Sequence, residues 1–108
     1  MVLVTDETFE AEVIRSPLPV VVDFYADWCA PCRSADPMLE ELSSSLAGRV
    51  KFAKVNVDDC DGVTRSYGIH SIPTYVFVER GREKGRQIGA LGAATEFRST
   101  LKRYFAFA

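Results

Sequence analysis

Two rhythms of apolar residues run along this chain. Val20 to Tyr25 is apolar on both faces except at Asp23, the pattern of a central strand covered on both sides. Val50 to Val57 alternates, with Val50, Phe52 and Lys54 on one face and Ala53, Val55 and Val57 on the other. Thr74 to Val78 is β-rich, Gly81 marks a hairpin turn, and Arg82 to Ile88 is polar enough for an edge strand. Elsewhere the spacing is helical. Phe9 and Val13 share a face of a first helix that Thr5 or Asp6 can cap and that Pro17 and Pro19 end. Met38, Leu39, Leu42 and Leu46 predict a long helix after Cys29, kinked at Pro37 and stopped by Gly48. A short helical stretch ends near Tyr67-Gly68, and Phe97, Leu101 and Phe105 mark a last helix. This order predicts an α/β fold, a mixed sheet with helices on both faces.

Size and charge narrow the possibilities. The 108 residues suit one compact domain, 1–108. A net charge of −2 argues against general affinity for nucleic acid or anionic membrane. Arg80, Arg82, Lys84 and Arg86 cluster, but Glu79 and Glu83 interleave with them, which reads as a solvated hairpin edge. No apolar run approaches the ~20 residues that cross a bilayer. The N-terminal residues lack a basic stretch followed by a long apolar core, so a cytoplasmic location is expected, and nothing requires more than a monomer. In such a compartment three cysteines point to catalysis, redox or metal chemistry rather than to a structural disulfide framework.

The chemistry concentrates at Trp28-Cys29-Ala30-Pro31-Cys32, where the apolar strand gives way to the long helix. A thiolate is the reactive form of cysteine, and a helix start stabilises it through unpaired N–H groups and partial positive charge. Cys29 is therefore the expected nucleophile. Cys32, one turn inside, can attack a mixed disulfide formed at Cys29 and resolve it. Pro31 in the first turn sacrifices no hydrogen bond and stiffens the backbone. Trp28 shields one side of the pair and offers an apolar contact to an incoming peptide. Zinc is the alternative, with Cys60 and His70 as nominal further ligands, but these two do not form the short second pair of zinc modules. No metal is expected.

Asp23 is a carboxylate in an apolar strand, which is costly unless paired or protonated. Burial raises its pKa and places an acid–base group near the thiols, with Lys54 as its expected partner. The plainer alternative is a carboxylate at a wet seam that only bonds backbone. Cys60, in the acidic turn Asp58-Asp59-Cys60-Asp61-Gly62, is read as a small buried side chain, with a regulatory thiol as the alternative. That turn lacks the spacing and closing glutamate of a calcium loop. His70 either borders the site or is an ordinary surface residue.

Taken together, Val22-Asp23-Phe24-Tyr25-Ala26-Asp27-Trp28-Cys29-Ala30-Pro31-Cys32, Pro37, Lys54-Val55-Asn56-Val57-Asp58, Tyr67-Gly68-Ile69, Ile72-Pro73-Thr74, Gly81 and Gly89 resemble the thioredoxin family. The resemblance runs from Phe9 to about Leu101. It implies the thioredoxin fold, a central mixed β-sheet of about five strands flanked by four helices, and reduction of protein disulfides. It also implies a cis peptide before Pro73, and a substrate groove lined by Trp28, Ala30, Ile72, Pro73, Gly89 and Ala90. The cysteine pair would carry the electrons without a further cofactor, from a thioredoxin reductase to disulfide-containing proteins. The chain departs from the family pattern at Ala30, where glycine is usual, and at Tyr25, where tryptophan is common. It also has Arg33-Ser34-Ala35-Asp36 where apolar residues usually follow the second cysteine. Asp36 would oppose a thiolate and Arg33 would favour one. Alternatives to a reductant are a thioredoxin-fold interaction module and an isomerase- or oxidase-like protein.

Overall fold

The computed structural model describes residues 1–107. Five strands, β1 (Val2–Val4), β2 (Val20–Tyr25), β3 (Lys51–Asn56), β4 (Thr74–Glu79) and β5 (Arg82–Ile88), form one sheet in the order β1-β3-β2-β4-β5. β1 and β2 run parallel to β3, while β2–β4 and β4–β5 are antiparallel. The helices are α1 (Ala30–Ser45), α2 (Asp61–Ser66) and α3 (Ala94–Tyr104), with a five-residue π-helical turn at Glu10–Ile14. This is the mixed, helix-flanked sheet of the thioredoxin fold.

The alternation of β2 divides the core in two. Val20, Val22 and Phe24 pack with Ala53, Val55, Val76 and Val78 against Phe9, Val13 and Val63, beneath the π-helical turn and α2. Val21 points the other way, with Phe52, Tyr75 and Phe77, against Leu39 and Leu42 of α1 and Phe97 and Leu101 of α3. Asp23 shares this second face, because strand side chains alternate. β2 is thus covered on both sides, and β1 and β5 are the edges.

Several local expectations need correcting. β1 was not read from the pattern, since three residues carry too little periodicity to distinguish a strand. The first helix is only the π-helical turn, and neither Thr5 nor Asp6 caps it. Thr5 and Thr8 bond one another's backbone N–H groups, and the Asp6 carboxylate instead accepts from Gly62 N (3.1 Å) and Val63 N (2.9 Å) at the start of α2. α1 runs through Pro37 and ends at Ser45, ahead of Gly48, whose φ of +82° turns the chain toward β3.

The β4–β5 hairpin closes through Arg80 and Gly81, both with positive φ, which matches the strand twist of a two-residue turn. Arg86 holds Glu83 through two hydrogen bonds of 2.7 and 2.8 Å along the polar edge. A register shift follows Phe77, and there Gly85 leaves room for the Tyr104 ring, which stacks on Phe77 at 5.2 Å.

Candidate functional site

β2 points its C-terminal end at the start of α1, and the cysteine pair occupies the junction. Cys29 is the N-cap of α1 in extended conformation, and its Sγ accepts a hydrogen bond from Cys32 N at 3.3 Å. Ala30 and Pro31 form the first helical turn. Cys29 and Cys32 are joined as a disulfide, with Cα atoms 5.3 Å apart, and each residue is only 4% exposed. Ala26, Tyr25, Val57 and Ile72 pack around them. A cap sulfur that receives a helix N–H is in the right place for the helix end to stabilise it as a thiolate once the disulfide is reduced.

One side of the pair is a groove of about 450 Å³ lined by Trp28, Val57, Thr64, Ile69, His70, Ser71 and Ile72. The indole is 67% exposed, and its Nε1–H donates to Asp58 Oδ2 at 2.9 Å. His70 lies on the wall of this groove. The Ile72–Pro73 peptide bond is cis, and Pro73 O accepts from Gly89 N at 2.9 Å, tying the end of β5 to that loop. Ala90 lines a separate depression with Pro31, Ser34, Ala35, Leu91 and Gly92. Trp28 and Ile72 thus share the groove beside the cysteines, Gly89 is tied to Pro73, and Ala90 lies with Pro31 on the α1 side.

The thioredoxin family model matches residues 1–103. The chain belongs to the thioredoxin family. A thioredoxin of Rickettsia bellii is 46% identical over 86 residues, covering 80% of this chain and 82% of the relative. One from Pyropia yezoensis is 42% identical over 101 residues, 94% of each chain. A chloroplastic M-type thioredoxin of Brassica napus is 42% identical over 93 residues, 86% of this chain and 52% of that protein. Like its family, the chain is a thiol–disulfide oxidoreductase that reduces protein disulfides through its redox-active cysteine pair.

Behind the pair, the polar residues of this thioredoxin-family chain are arranged differently from expectation. Asp23 is 3% exposed, and its Oδ1 has no hydrogen-bond partner among the described residues. Burial pushes its carboxyl up to about 7; the Lys54 charge pulls it back and the Asp36 charge adds to the rise. Lys54 stands opposite Asp23 across β2–β3. Its ammonium does not bond Asp23, however. It bonds both carboxylate oxygens of Asp36, at 3.1 and 3.2 Å, and lies 4.2 Å above the Tyr25 ring. The expected Asp23–Lys54 partnership is therefore corrected to Lys54–Asp36, with Lys54 acting on Asp23 only through space. Asp36 is accordingly part of an ion pair and not an isolated negative charge beside the thiols. Arg33 gives its guanidinium to the Asp27 carbonyl oxygen.

Three participants were missed in the sequence: Asp36 as the partner of Lys54, Asp58 as the anchor of Trp28, and Tyr75 beside Asp23. Asp36 sits four positions after Cys32 and so shares its helix face, a spacing that points it at the sheet. Tyr75 is the β4 residue opposite Asp23, fully buried, and its hydroxyl lacks a partner among the described residues. Burial, then the Asp23 and Asp36 charges, push its phenol above its ordinary value.

Cys60 is buried, with Sγ 3.6 Å from the Val4 carbonyl oxygen. Burial, then Asp6 and Asp59, push its thiol up. Among the described residues no cluster of three His, Cys, Asp or Glu side chains could hold a metal, and no helix is long and apolar enough to cross a membrane.

Proposed function

We propose that the reduction runs through Cys29 as attacking thiol and Cys32 as resolving thiol, with Asp23 as the acid–base group. The observation that carries this reading is the position of Cys29 at the N-cap of α1, its sulfur already receiving the Cys32 N–H. The Cys29 thiolate attacks one sulfur of a target disulfide, forming a mixed disulfide and expelling the target's other sulfur as a thiolate, which takes a proton from water. Cys32 loses its proton to Asp23 and attacks Cys29 Sγ. The Cys29–Cys32 disulfide forms, the second target sulfur leaves as a thiolate, and two electrons have passed to the target. Pro31 keeps the first turn of α1 rigid through this cycle. Lys54 tunes Asp23 through space.

Trp28, Ala30, Ile72, Pro73, Gly89 and Ala90 form the seat for an extended substrate segment, with the exposed indole as its apolar wall. The cysteine pair carries the electrons without a bound cofactor, and a thioredoxin reductase recharges it. We place the chain in the cytoplasm as a monomer, with residues 1–108 working as one domain and with no nucleic acid or membrane as partner. The test is reduction of insulin disulfides supplied with dithiothreitol. Cys29→Ser is expected to abolish turnover, and Cys32→Ser to trap a mixed disulfide with a target protein. Full activity in Cys29→Ser overturns the assignment. The reduction potential of the Cys29–Cys32 pair separates a reductant from an oxidase or isomerase.

A further inference from the structure

Lys54 is the positive charge that pulls on the buried Asp23, and it is engaged elsewhere. Asp23 and Lys54 are register partners on neighbouring parallel strands, on the face that α1 covers. Yet the ammonium is held by both oxygens of Asp36, from the helix that carries the cysteines. The Tyr25 ring beneath the ammonium helps fix it in that position. Asp23 Oδ1 is left without a hydrogen bond among the described residues.

We propose that Asp36 is a positioning residue for the exchange reaction: by holding the Lys54 ammonium against α1, it withholds that cation from Asp23 and keeps the Asp23 carboxyl able to carry a proton. The proposal rests on the reading of Asp23 as the acid–base group for Cys32.

The groups facing Asp23 determine the sign of the effect. From β3 comes Lys54, which favours the charged carboxylate, and from α1 comes Asp36, which disfavours it. From β4 comes the Tyr75 phenol, pushed up first by burial and then by the Asp23 and Asp36 charges, and neutral at working pH. Tyr25, on the same strand, is likewise raised, first by burial. Cys32 sits on α1 one turn before Asp36, and Cys29 at its N-cap. Phe97 and Leu101 of α3 bring no charge to this face. Removing Asp36 therefore acts twice in one direction: it deletes a repelling carboxylate and frees Lys54 to swing toward Asp23. A carboxyl that then holds its proton only at lower pH is a weaker acid–base partner for a thiol near neutrality.

The test follows the Asp23 side-chain carboxyl by carbon NMR through a pH titration of the full chain, with no substrate present. Asp36→Ala is expected to move the Asp23 midpoint to lower pH by about one unit. The acid limb of the insulin-reduction pH profile should move with it. Asp36→Asn, which keeps the side-chain shape, should shift it in the same direction. The Asp36 side chain is 36% exposed, so neither change opens a core cavity. Lys54→Met should move the midpoint up, and Asp36→Ala placed on Lys54→Met should then have less than half its original effect.

An unmoved or raised midpoint in Asp36→Ala overturns the proposal. So does an equal shift with and without Lys54, which would mean that Asp36 acts by simple repulsion. The titration is independent of turnover. A Cys29→Ser protein that still reduced insulin would sink the catalytic reading whatever Asp23 does, whereas an immobile Asp23 midpoint in an active enzyme would sink only the role of Asp36.

Discussion

Asp23 and Tyr75 stand opposite one another on β2 and β4, and neither Asp23 Oδ1 nor the Tyr75 hydroxyl has a hydrogen-bond partner among the described residues. Two neighbouring buried polar atoms left unpaired are a cost that a purely structural core would avoid. The cost falls on β2, the strand that delivers the cysteine pair, and on its neighbour β4.

It has a pH signature. The Asp23 carboxyl titrates at about 7 when folded and near 3.8 when unfolded. Between those values the native state holds a proton that the unfolded chain has released. The stability that Asp23 contributes is therefore present at low pH and lost as pH rises through about 7. Asp23→Ala is expected to unfold later in urea at pH 8 than the parent, by about 4 kcal/mol, with no gain below pH 4. The same substitution should slow insulin reduction. An equal stability difference at both pH values would contradict this account.

Gly85 is required by a ring. A Cβ at this position would collide with the edge of the Tyr104 ring, which is itself stacked on Phe77. Gly85→Ala should cost about 1–3 kcal/mol in chemical denaturation, as overpacking does. In a Tyr104→Leu background the same change should be nearly neutral, since the obstructing ring is gone.

Asp6 acts at a distance in sequence. It caps α2 by accepting from Gly62 and Val63, so it ties the segment after β1 to a helix on the same face of the sheet. Asp6→Ala should lower stability by about 1 kcal/mol, the usual value of a lost helix cap. Hydrogen exchange at the Gly62 and Val63 amides should accelerate more than at β2.

Cys60 should be chemically quiet. Its thiol is buried and its pKa raised, so the thiolate is scarce and shielded at neutral pH. In the reduced native protein, iodoacetamide should label Cys29 well before Cys60, with labelling of Cys60 following unfolding. Rapid native labelling at Cys60 would restore the regulatory reading of that thiol.

The residues that proved readable in the sequence are those whose role is local. The apolar run of β2, interrupted only at Asp23, the alternation in β3 and the turn at Gly81 report their own surroundings, as does the cysteine spacing at a helix start. Lys54 could be assigned to a face by alternation, but its partner depends on how α1 is rotated over the sheet, which no local pattern encodes. Asp6 illustrates the same limit: its side chain suits a helix start, and only tertiary proximity decides which helix it caps. β1 went unread because Val2–Val4 is too short to show a period. The register of β4 against β2 likewise decides that Tyr75 meets Asp23, and register is a property of the pair of strands.

The groove beside the cysteines is built almost entirely from the chain between β3 and β4, with Val57, Thr64, Ile69, His70, Ser71 and Ile72 forming its wall and only Trp28 coming from the β2–α1 junction. The thiols and Asp23 belong to a different stretch, β2 and α1. The groove wall and the sulfur chemistry are therefore encoded largely on separate segments of one small chain. Exchanges at His70 or Ser71 reshape the groove wall without altering the thiols or Asp23.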